Sequence, residues 1–221
     1  MTAVPLAMLL MADGRMPVGG HTQSAGFEAA VMAGLGVGDV PSYLKARLAS
    51  VATVDAGTAV LAHRSLSGVI ADDLVEIWTQ WAARTPSQTQ RRAAEQAALG
   101  YLRLVDRLHP GQLPALRALA RPPRPIALAA FGVTVGLTPR QVAEVLVHDE
   151  IQAVTSAALK LLPLDPSRCV DWALAAHGQA AQVVEAVAEL THPADLPCPS
   201  APVLDLWTHH HANSRKRLFS A

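Results

Sequence analysis

Apolar residues recur along most of this chain at spacings of three and four, the period of helices with one buried face. The first apolar segment, Leu6 to Ala12, ends at Asp13-Gly14. A Gly/Pro loop follows, Met16-Pro17-Val18-Gly19-Gly20-His21. The pattern then predicts a helix that starts near Thr22 or Ser24, carries Ala25 to Met32 and stops at Gly34, Gly36 and Gly38. Asp39 reads as an N-cap with Pro41 in the first turn of a helix that carries Leu44, Leu48, Val51 and Val54 to about Ser65. Asp72 or Asp73 caps the next helix, with Leu74, Trp78 and Trp81 on one face. The polar run Thr85 to Arg92 leads into a helix with Leu99, Leu102 and Val105 that ends at His109-Pro110-Gly111.

A short segment, Leu113 to Leu119, meets the cluster Pro122-Pro123-Arg124-Pro125. Pro125 to Gly136 mixes strand and helix formers; helix is the reading, because one isolated strand would have no partner. Thr138-Pro139 reads as N-cap and N1 of a helix with Val147, Ile151, Val154, Ala158 and Leu161 on its stripe. Leu162-Pro163-Leu164-Asp165-Pro166 breaks it. The next stripe is Val170, Leu174, His177, Ala181, Val184 and Ala188, which makes His177 a core histidine. Prolines 193, 197, 199 and 202 form an irregular linker, and the last segment, from about residue 203, is apolar at its start and basic at its end. The sum is an all-α fold, one globular domain of about eight to ten helices over residues 1–221, with a C-terminal tail from about residue 203.

Composition agrees. Half of the chain is apolar (51%) with only Trp 4, Tyr 2 and Phe 3 among the aromatics, too few for a large sheet. Eighteen basic residues balance eighteen acidic ones. A neutral chain argues against a nucleic-acid partner and permits self-association. No apolar stretch is long enough to cross a membrane. Cys169 and Cys198 form no CxxC pair and read as buried small apolar residues in a reducing cytoplasm.

Catalytic and metal chemistry find little support. His209-His210-His211 point in different directions on a helix, and no HExxH or CxxC accompanies them, so no metal site or cofactor is expected. His148-Asp149-Glu150 reads as helix surface or a partner contact. Val18-Gly19-Gly20 lacks the lysine of a P-loop, and Gly34-x-Gly36-x-Gly38 lacks a preceding strand. Ser24 has no nucleophile elbow around it. The tail Asn213-Ser214-Arg215-Lys216-Arg217-Leu218-Phe219 combines charge with an apolar pair, which suits docking on a partner as well as a frayed terminus.

Two segments resemble a known family. Leu9 to Glu28, with Pro17, Gly19, Gly20, Ser24, Gly26 and Glu28 at fixed spacing, is similar to the opening of the urease accessory protein UreF family; His21 replaces the usual aromatic. Gln152 to Leu164 resembles that family's Gln-x-x-x-Ala-Ala-x-Arg-Leu-x-Pro-Leu stretch, with Lys160 in place of the arginine. His211 and Arg217-Leu218-Phe219 match the family's C-terminal pattern more weakly. The chain departs from it at Asp165-Pro166, Ala212, Ala221 and Ser87-Gln88, as a divergent member would.

The resemblance implies an all-helical accessory protein and no enzyme. It would join a UreD-type (UreH-type) scaffold and the GTPase UreG, as a homodimer, to deliver nickel to apo-urease. It also implies a partner contact at His211, Arg217, Leu218 and Phe219. Pro17, Gly19, Gly20, Ser24, Gly26 and Glu28 are expected to act mainly structurally. Ser24 would cap the following helix, and Glu28 would lie near its positive end. An all-helical small-molecule enzyme and a ligand-sensing regulator remain the alternatives.

Overall fold

The computed structural model describes residues 5–71, 73–212 and 218–219, without the side chains of residues 21, 112, 113 and 210–212. Every regular element among them is helical. The α-helices are α1 (Leu6–Met11), α2 (Phe27–Met32), α3 (Val40–Arg47), α4 (Thr53–Leu66), α5 (Leu74–Arg84), α6 (Gln88–Leu108), α7 (Leu113–Arg117), α8 (Arg124–Thr134), α9 (Pro139–Leu161), α10 (Ser167–Val187) and α11 (Pro202–Ala212). Three of these, α1, α2 and α7, are single turns of five or six residues. The remaining eight fall within the expected range.

The caps explain most boundaries. Asp73 accepts from Glu76 N (2.8 Å) to open α5, and Ser87 accepts from Gln90 N to open α6. Thr138 and Gln141 form a reciprocal capping box at α9, with Pro139 at the first helical position. Asp39 stands at the N-cap of α3, but its carboxylate turns back to Gly36 N (2.8 Å). The expected helix to about Ser65 is continuous in space but interrupted in kind. Leu48–Ala52 winds as a π-helix between α3 and α4. One extra residue in that turn rotates α4 relative to α3, and such bulges often sit at functional sites.

α4 is the central element. It packs against α5, α8, α9 and α10, and its residues 54–63 are all buried. Gly57 lets α4 approach the linker, since a Cβ there would meet Leu196 Cδ1 at 2.6 Å. His63, deep in this core, places Nε2 2.7 Å from Leu137 O, and burial lowers its pKa, so the ring is the neutral donor.

Several expectations about the helices and cysteines fail. The α10 stripe holds only at its C-terminal end: Val184 and Ala188 are buried, but Val170 and Leu174 are 59% and 60% exposed, His177 and Ala181 are exposed, and Trp172, Val183 and Val187 take the other core positions. Alanines on both sides of α10 make either face apolar enough to bury, and packing on α9 and α4 selects the one with Trp172. Cys169 is only half-buried and Cys198 is exposed. The helix expected from Thr22 or Ser24 begins later, at Phe27, after a 3₁₀ turn over Gly20–Thr22.

Candidate functional site

The N-terminal motif is a tightly tethered loop. Gly19 and Gly26 both take left-handed backbone (φ 77° and 74°). Gly26, not Ser24, occupies the N-cap of α2, and no side chain caps that helix. Ser24 is instead fully buried. A Cβ on Gly26 would lie 3.1 Å from the Tyr43 hydroxyl, which donates to Ala25 O (2.7 Å). Phe27 meets Tyr43 edge-on, and Tyr43 stacks on Trp207 of α11. The loop also runs hard against α6: a Cβ on Gly100 would lie 2.4 Å from Val18 Cα.

Glu28, in the first turn of α2, is buried, and its carboxylate accepts from the backbone of the C-terminal tail. Leu218 N donates to Oε1 (2.6 Å) and Phe219 N to Oε2 (3.0 Å). The Phe219 ring is only 5% exposed and lies under Lys160 Nζ, 5.0 Å from the ring centroid. Leu218 is 65% exposed. Glu28 and the Leu218-Phe219 pair, 190 residues apart in the chain, therefore form one seat. His211 lies in α11 with its side chain outside the described residues, and Arg217 lies outside them altogether. α11 itself packs on α2 and α6.

Behind this seat is a cavity of about 930 Å³. Its mouth includes Asp13, Arg92, Gln152, Lys160 and Phe219. Its floor is charged. Glu150 is held by Arg47 (2.5 Å) and by Arg124 (2.9 Å). Arg124 also pairs with Asp149 (3.2 Å), and the Tyr101 hydroxyl donates to the same Asp149 oxygen (3.4 Å). Asp55 accepts from the Trp81 indole (2.8 Å).

The electrostatics follow from those contacts. The two guanidiniums outweigh burial at Glu150 and hold its pKa down. Burial and the Glu150 charge push Asp55 up to about 6. Burial also raises Asp149, against the pull of Arg124. His148-Asp149-Glu150 reads in the sequence as helix surface or a partner contact; Glu150 is in fact buried, and Asp149 joins the internal network. Glu150 stands three residues after Val147 and four before Val154, on the core face, which was the one available signal. Among the described residues, no three His, Cys, Asp or Glu side chains are placed to hold a metal ion. Among them, too, no helix is long and apolar enough to cross a membrane.

This is an all-helical protein with a charged cavity flanked by a glycine-bent loop and by Leu218-Phe219. The UreF family model matches residues 36–177. A urease accessory protein UreF from Mycobacterium sp. (strain JLS) is 34% identical over 217 residues, 97% of each chain. Its counterpart from Mycobacterium marinum is 35% identical over 221 residues, covering 98% of this chain and 99% of its own. That of Mycobacterium tuberculosis (strain H37Ra) is 32% identical over 219 residues. The chain belongs to the UreF family of urease accessory proteins, which are chaperones rather than enzymes.

Proposed function

We propose that this chain acts in the cytoplasm as the coupling subunit of urease maturation. It joins a UreD/UreH-type accessory protein and the UreG GTPase to apo-urease, so that nickel is inserted into the metallocentre. The single observation that supports this most is the seat on Glu28. It brings the N-terminal motif and the C-terminal Leu218-Phe219 pair into one surface. Phe219 anchors the pair, and Leu218 stays outside as an apolar contact. A docked scaffold would bury that leucine, worth about 2 kcal/mol. Arg217 and His211 belong to the same proposed contact through their place in the sequence. Pro17, Gly19, Gly20, Ser24 and Gly26 support the surface by fixing the loop beneath it.

Homodimerisation is part of the same proposal. A chain of zero net charge sets no long-range repulsion between copies.

The test is co-expression with the UreD-type protein of the same organism, followed by size-exclusion chromatography with light scattering. The wild type should elute as a defined complex containing two copies of this chain. Truncation after Asn213 should dissociate the scaffold while leaving the helical circular-dichroism spectrum intact. Separate elution of two soluble wild-type proteins would defeat the reading, and so would an unchanged complex after truncation.

A further inference from the structure

The cavity floor sets three carboxylates against two guanidiniums. Glu150 engages both Arg47 and Arg124, and Asp149 engages Arg124 and Tyr101. Asp55 receives neither guanidinium. Its one hydrogen bond is from Trp81 to Oδ1. No group among the described residues donates to Oδ2, although the side chain lines the cavity and the residue is only 8% exposed. That oxygen is not sealed in the core but opens onto the cavity, where a ligand can donate to it. With Asp55 ionised, the floor also carries one negative charge more than its arginines balance.

We infer that this cavity is a binding site for a primary ammonium group, which donates to Asp55 Oδ2. Its source is a lysine side chain of a docked protein or a small free amine. The geometry selects among cations. A guanidinium binds carboxylates best through two parallel hydrogen bonds, and here Trp81 already occupies one oxygen. A divalent ion needs several oxygen or nitrogen ligands, and the described residues offer no group of three. An ammonium is a point charge and needs one good oxygen. Met11, Met16 and Tyr101 line the route for an aliphatic stem. The access is real: the lining residues Arg92, Gln96, Gln152 and Ser156 are exposed to solvent. Arg92 and Lys160 are cationic, but they are exposed, where water screens them.

This inference does not depend on the maturation role, because it is read on the isolated full chain. The experiment is isothermal titration with methylammonium chloride and, separately, with a short lysine peptide blocked at both termini. The wild type is compared with Asp55→Asn, whose side-chain oxygen can still accept from Trp81. At about pH 7.5 and constant ionic strength, the wild type should bind saturably and D55N at least about tenfold more weakly.

Near pH 6 the wild type should also release protons on binding, because the ammonium favours the ionised Asp55; near pH 8 it should release none. The groups facing Asp55 there are Arg47 from α3, Trp81 from α5, Arg124 from α8 and Glu150 from α9. That proton release decides the matter even if D55N fails to melt cooperatively. A lysine peptide bound about tenfold tighter than methylammonium assigns the site to a protein side chain, and equal affinity assigns it to a free amine. Unchanged binding in D55N, no saturation in the wild type, or tighter binding of magnesium ion at Asp55 would overturn the proposal.

Discussion

The mouth and the floor of the cavity are built from different material. At the mouth stand single-turn helices, α1 and α2, a loop bent by left-handed Gly19 and Gly26, and two tail residues held by one carboxylate. At the floor, side chains from α3, α4, α6, α8 and α9 meet in a network of buried charges. Single-turn elements open at lower free energy than long core helices, which open only with the whole fold. The mouth therefore suits contact with partners, and the floor sets the register in which the long helices pack. The comparison shows how one chain separates an adaptable edge from a rigid interior within a single cavity.

The largest way to break the floor is Arg124→Ala. It leaves Glu150 with one guanidinium and Asp149 with Tyr101 alone, and should cost about 3–5 kcal/mol in urea denaturation. The opposite sign is expected for Asp55→Asn. The folded carboxyl is pushed up to about 6, above its value of about 3.9 in an unfolded chain. The stability this raised value contributes is present below about pH 4 and lost as pH rises through about 6. D55N should therefore exceed the wild type by about 2–3 kcal/mol near pH 7.5 and by nothing near pH 4. A pH series of denaturation curves checks both the size and the window.

The mouth should respond more mildly. Gly26→Ala places a Cβ on left-handed backbone beside the Tyr43 hydroxyl and should cost about 1–2 kcal/mol. Glu28→Gln should change global stability least, by about 1 kcal/mol. Its effect should appear instead as faster hydrogen exchange at the Leu218 and Phe219 amides, because a neutral amide oxygen is the weaker acceptor and only one remains. If Glu28→Gln destabilised the fold as much as Arg124→Ala, the division between mouth and floor would fail.

The sequence made the two regions unequally legible. The helix periods and the caps at Asp73 and Thr138 are local, so α5 and α9 were readable from neighbours in the chain, whereas the start of α6 at Ser87 lies inside a polar run and α8 follows only because a lone strand would have no partner. The spacing of Pro17, Gly19, Ser24, Gly26 and Glu28 carried the family resemblance. What Glu28 does was not readable, since its donors lie 190 residues away. The floor was hidden for a related reason. Arg47, Arg124 and Glu150 are each unremarkable charges in their own helices, and only tertiary packing brings them together. The π-helix at Leu48–Ala52 left no mark in the apolar period that runs through it. On α10, apolar residues line both faces, so the period alone placed Val184 and Ala188 correctly but Val170 and Leu174 wrongly.

The most direct test of the account is complementation. A urease-producing mycobacterium lacking its own UreF would receive this chain as wild type or as Leu218→Asp, an exposed change that leaves the floor untouched. Nickel-dependent urease activity in cell extract is the readout. The account predicts that the wild type restores activity and that Leu218→Asp lowers it by at least about tenfold at equal protein level. Full restoration by Leu218→Asp, or none by a soluble wild-type chain, would contradict it.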